Sequence, residues 1–125
     1  VGKSGGKWDT SNVIDMSGMF SLAKSFNQPL YFKTSKVLYM NYMFLDAIRF
    51  NQPLNFDTSK VLSMRCMFQN AADFNQPLNF DTSNVIYMTN MFYSAKSFNQ
   101  HHSIRKWDTS KVVNMSGMFL GAKKI

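Results

Sequence analysis

The sequence has no glutamate, one cysteine and no long apolar run, and each absence removes a class of protein. The lone Cys66 excludes an internal disulfide and any metal site built from several cysteines. No stretch of about 18 apolar residues occurs, so no helix of this chain is expected to span a membrane. The chain opens at Val1 with neither an initiating Met nor a signal-peptide pattern, as expected of a processed or excised piece. Charge of one sign is in short supply: seven acidic residues, all Asp, stand against 14 Lys and Arg, for a formal charge of +7. Such a balance suits an anionic surface. The cations are scattered rather than clustered, however, and nothing beyond charge points to nucleic acid.

What is abundant is Phe and Met, with 12 and 10 copies. Their positions explain the excess. "FNQPLNFDTSKV" from Phe50 returns at Phe74 as "FNQPLNFDTSNV", and the Thr-Ser-(Asn/Lys)-Val phrase starts at Thr10, Thr34, Thr58, Thr82 and Thr109, spaced by 24, 24, 24 and 27 residues. Met-Phe pairs begin at Met19, Met43, Met67, Met91 and Met118. Every Met and Phe falls on a repeat position, so the methionines form no cofactor or copper motif of their own.

Within the unit that begins at Phe56, the apolar places are Phe56, Val61, Met64, Met67, Phe68, Ala71, Phe74 and Leu78. Val61, Met64, Phe68 and Ala71 have the 3-4-3 spacing of one face of a short helix. Leu78 and Phe80 have strand spacing. Asp57-Thr58-Ser59 is turn and N-cap chemistry, and Pro77 stops a helix from continuing. The predicted fold is an α/β repeat solenoid: leucine-rich-repeat-like coils of about 24 residues, one short strand plus one short helix or turn each, about five in number. A Gly/Lys-rich segment, 1–7, precedes units 8–31, 32–55, 56–79, 80–106 and a partial 107–125.

"WDTSNVIDMSGMFSLAKSFNQPL" (Trp8 to Leu30) resembles the repeat of the BspA-like leucine-rich-repeat surface proteins and their mycoplasma-type lipoprotein relatives. The resemblance runs from Trp8 to Lys124. It implies a solenoid, a cell-surface or secreted location and a role in adhesion to proteins or cells; it supplies no catalytic residues. Two places depart from its pattern. "HHSIRKW" (His101 to Trp107) replaces the Pro-Leu step with three extra residues, which puts register at the fourth junction in doubt and suggests a bulge. Lys33 stands where the other units have Asp9, Asp57, Asp81 and Asp108.

Positions alike in every copy are those the stack requires; positions that differ are free to contact something. Asn27, Asn51, Asn75 and Asn99 read as a structural ladder. Tyr39, Tyr42, Tyr87 and Tyr93, with Lys36, Lys60 and Arg65, are the candidate partner-binding residues, because tyrosine offers rigid contact area with a polar tip. Tyr31 varies too but lies outside that segment. The expected function is non-enzymatic recognition or adhesion, with a protein or glycan ligand. The alternative is a structural protein whose units self-assemble into a fibre or surface layer, suggested by ends without polar caps. No cofactor, metal or catalytic residue is expected. Gly2-Lys3-Ser4 lacks the rest of a P-loop, and the adjacent His101 and His102 have no obvious third ligand. Cys66 lies more than a repeat from any histidine. The threonine column invites comparison with ice-binding arrays, but its neighbours are turn serines and lysines.

Overall fold

The computed structural model describes residues 8–125; the segment 1–7, including Gly2-Lys3-Ser4, lies outside the described residues. Four of the five units begin with a turn made by their own side chains. Asp57 Oδ1 accepts the Ser59 N–H at 3.0 Å and the Ser59 hydroxyl at 2.7 Å. A short carboxylate satisfies turn N–H groups that would otherwise need water. Val61 N–H then closes on Thr58 O at 3.0 Å. Asp9, Asp81 and Asp108 repeat the arrangement with Ser11, Ser83 and Ser110. Lys33 has no carboxylate to offer, and its N–H instead donates to Thr10 Oγ1 at 2.8 Å.

Of the expected short helix or turn, the chain beyond Val61 forms turns, not the helix its 3-4-3 spacing suggests. Met67, Gln69 and Ala71 donate three residues back, to Met64, Cys66 and Phe68. The alternate residues Met64, Cys66, Phe68 and Asn70 donate instead to Tyr87, Thr89, Met91 and Tyr93 of the next unit, at 2.8–2.9 Å. An α-helix would use all these N–H groups internally. Here every second one is spent between units, and the left-handed residues Cys66 (φ 55) and Asn70 (φ 58) turn those groups outward. The apolar spacing is the same for both conformations, which is why it pointed to a helix. Among the described residues the only α-helix is His101–Ile104.

Tyr87 N–H donates to Leu62 O at 3.4 Å, opposite in sense to the Met64-to-Tyr87 bond, and the two make a parallel bridge between Ser63 and Tyr87; Ile86 N–H shares the Leu62 carbonyl at 2.8 Å. The bridges form one line: Asp15, Tyr39, Ser63, Tyr87, Asn114. Pairing therefore occurs at this column and not at Leu78 and Phe80, where a strand was expected. Pro77 removes a ladder donor on that side, and side chains do the joining there instead.

Joined this way, equivalent residues of successive units lie against each other. All eight apolar places of the unit at Phe56 are buried. Phe20, Phe44, Phe68, Phe92 and Phe119 stack at centroid spacings of 5.5–5.6 Å. Phe26, Phe50, Phe74 and Phe98 form a second column at 5.8–6.1 Å, and Trp8, Phe32, Phe56, Phe80 and Trp107 a third. A ring in one unit is thus completed by rings above and below, the reason such a unit is stable only in company. Thr58 Oγ1 donates to Asp81 O at 2.9 Å, and Thr10, Thr34 and Thr82 do the same to Lys33, Asp57 and Asp108. These four threonines are buried, so they present no array to ice.

The doubt about register at the fourth junction is resolved without a bulge in the ladder. Met88, Asn90, Phe92 and Ser94 donate to Asn114, Ser116, Met118 and Leu120 in the same pattern as every earlier junction. The helix His101–Ile104 absorbs the three extra residues on the other side of the unit.

Candidate recognition face

Along the bridge line the backbone does most of the joining, so most side chains there are released from that duty. Tyr39 and Tyr87 share the line, separated by Ser63, and Tyr39 is 38% exposed. Two residues further on, Arg65 lies with its Cζ 3.8 Å from the centre of the Tyr87 ring. A guanidinium over an aromatic face is held in place yet keeps its outward donors. Asn41, in the preceding unit, holds the Arg65 backbone: its Oδ1 accepts the Arg65 N–H at 2.9 Å and the Ser63 hydroxyl. Its own N–H donates to Ser17 Oγ at 3.1 Å.

Tyr42 occupies a left-handed position (φ 59) in the column of Gly18, Cys66, Asn90 and Gly117, and is 44% exposed. Tyr93 is half-buried, and its ring lies beside Gly117. The structure thus brings Arg65 and Tyr87 into contact, sets Tyr39 on the same line, and leaves Tyr42 and Tyr93 in later columns of the unit. Lys36 and Lys60 stand in a separate column, in the turn before the bridge line. Lys36 Nζ donates to Asn12 Oδ1 and Lys111 Nζ to Asn84 Oδ1, both at 3.0 Å. No hydrogen bond joins this column to the tyrosines among the described residues.

The asparagine column lies on the opposite part of the unit. Asn27 Oδ1 accepts Asn51 N–H, Asn51 Oδ1 accepts Asn75 N–H, and Asn75 Oδ1 accepts Asn99 N–H, each at 2.9 Å. Gln52, Gln76 and Gln100 each donate to the same preceding asparagine, both side chain and backbone carbonyl.

Electrostatics add little reactive chemistry. Hydrogen bonds from Ser11, Ser59, Ser83 and Ser110 hold the carboxyls of Asp9, Asp57, Asp81 and Asp108 below the usual range. Burial pushes the Cys66 thiol up, the reverse of what a reactive thiolate needs. Among the described residues no three His, Cys, Asp or Glu gather as a metal site, and no helix is long and apolar enough to cross a membrane.

Sequence reasoning missed Asn41, which fills a column otherwise held by Ser17, Arg65, Thr89 and Ser116 and showed no distinguishing pattern. The left-handed column was detectable: Gly18 and Gly117 occupy it in the first and last units.

The repeat sequence decides the relationship. A family model described as "Mycoplasma protein of unknown function, DUF285" matches residues 3–101 and again 55–125. The chain belongs to this family. The two overlapping matches reflect the tandem repeat, because a shift by whole units superimposes the chain on itself. Neither the curated proteins nor the solved structures compared with the chain give a match.

Proposed function

We propose that this DUF285 chain is a non-enzymatic recognition module, acting at the cell surface or as a secreted protein, that binds a protein through the bridge-line face. Its fold, on this reading, is a repeat solenoid of the BspA-like, leucine-rich-repeat type, with tight turns where other such repeats carry helices. One observation carries the function: side chains that differ between units gather where backbone hydrogen bonds do most of the joining between units. Among them stand an exposed Tyr39, an exposed Tyr42 and an Arg65 pre-set on Tyr87. Tyrosine and arginine dominate protein–protein contact energies, and a pre-set guanidinium loses less freedom on binding. The lysine column, in which Lys36 and Lys111 are tied back to neighbouring amides, supplies surrounding positive charge.

The test is solid-phase binding of the chain to immobilised matrix glycoproteins (fibronectin, laminin and collagen), beside a Tyr39→Ser/Arg65→Ala/Tyr87→Ala variant. The native chain is expected to bind at least one, and the variant to lose roughly 100-fold in affinity with its thermal unfolding little changed. Equal binding by the two, or no binding by either, would overturn the reading. Concentration-dependent polymers in light scattering would favour the fibre or surface-layer alternative.

A further inference from the structure

The insertion into the repeat, His101 to Lys106, sets four exposed basic or imidazole side chains within six residues. Its helical spacing divides it cleanly. Ser103, Ile104 and Trp107 turn inward: Ser103 Oγ accepts Leu78 N–H at 3.1 Å and donates to Gln100 O at 3.1 Å. Trp107 Nε1 donates to Leu78 O at 3.0 Å while its ring stacks on Phe80 and Phe92. His101, His102, Arg105 and Lys106 are all exposed. His101 and Arg105, like His102 and Lys106, are four residues apart and share a side of the turn. Arg105 N–H closes on His101 O at 3.0 Å and Lys106 N–H on Ser103 O at 3.3 Å, so the backbone beneath the cations is held. None of these four side chains makes a hydrogen bond or ion pair among the described residues.

We propose that this turn is a recognition site for the sulfate groups of a linear sulfated polysaccharide. Arginine presents a planar fork suited to sulfate, lysine a point charge, and the imidazoles further donors, on an anchored scaffold. Two other polyanions fit less well. A lipid surface would be gripped by apolar side chains, and none of the large exposed hydrophobic residues lies in this turn. Single-stranded nucleic acid wants a free aromatic platform, and Trp107 is already committed to Phe80 and Phe92. The site is separate from the tyrosine face, and neither proposal depends on the other.

The experiment uses the full chain over immobilised heparin, at about 0.15 M salt, by surface plasmon resonance. Arg105→Ser/Lys106→Ser is compared with Lys123→Ser/Lys124→Ser, which removes equal charge elsewhere. The first pair is expected to weaken binding about tenfold or more, and the second less than about twofold. Desulfated heparin should not bind, and the tyrosine-face variant should bind like the native chain. No heparin binding, equal losses in the two pairs, or tighter binding to phosphatidylserine vesicles or to single-stranded RNA would each overturn the proposal. Unchanged circular dichroism of both variants assures that a loss is not unfolding.

Discussion

The two halves of each unit are joined to their neighbours by different atoms. From Met64 to Asn70 the backbone does most of it, every second N–H reaching the next unit, with side-chain links added at Ser17 and Asn41. From Phe74 to Thr82 the side chains do it, through Asn75, Gln76 and Thr82. The consequence is visible in the sequence. Backbone bonds are indifferent to side chain, so the bridge column reads Asp, Tyr, Ser, Tyr, Asn without cost to the stack. Where a carboxamide or hydroxyl is itself the connector, Asn and Thr recur in unit after unit. Variation here marks where the backbone suffices, and that is where a binding surface can be built cheaply.

The largest effect expected lies in what both halves share. Phe68 is fully buried, stacked on Phe44 and Phe92 and packed on Phe74. Phe68→Ala should cost about 3–5 kcal/mol, measured by urea denaturation, and Phe119→Ala, on a ring 37% exposed, clearly less. The comparison itself is tested by Asn51→Ala against Tyr39→Ser. Asn51→Ala removes the acceptor of Asn75 N–H and Gln76 and should cost about 1–2 kcal/mol. Tyr39→Ser, on the backbone-joined half, should stay within about 0.5 kcal/mol. Equal losses would break the comparison.

The smallest effect is with pH. The four turn aspartates have folded pKa values below their unfolded ones, so their contribution is present above the unfolded value of about 3.9 and is lost as pH falls through the folded values. Stability should decline as pH falls below about 4. Replacing Asp9, Asp57, Asp81 and Asp108 together by Asn, which still accepts the serine N–H, should flatten that decline. A slope unchanged in the quadruple variant would assign acid sensitivity to other groups.

Much of this molecule could be read from its residues. The period and the buried places from Phe56 to Leu78 follow from spacing, because each unit must bury the same side chains in the same order. The Asp-Thr-Ser turn was legible for a similar reason: its hydrogen bonds are local. The conformation between Val61 and Ala71 was not. Its apolar spacing satisfies a helix and a run of turns equally, and the choice rests on hydrogen bonds to residues more than 20 positions away. Nor could spacing place Arg65 on Tyr87 or reveal Asn41 beneath it, since both contacts cross between units.

By itself, then, the sequence determined a tandem repeat, its core and its constant turn chemistry, all properties set within one unit. Tertiary structure alone decided which backbone groups face the neighbouring unit, and hence that the pairing line runs through Tyr39, Ser63 and Tyr87. It also decided that the His101–Lys106 insertion folds outward as a held basic turn instead of disturbing the ladder. The physical reason is common to both: a backbone N–H has no identity of its own, and its partner is chosen only when a second unit is present to accept it.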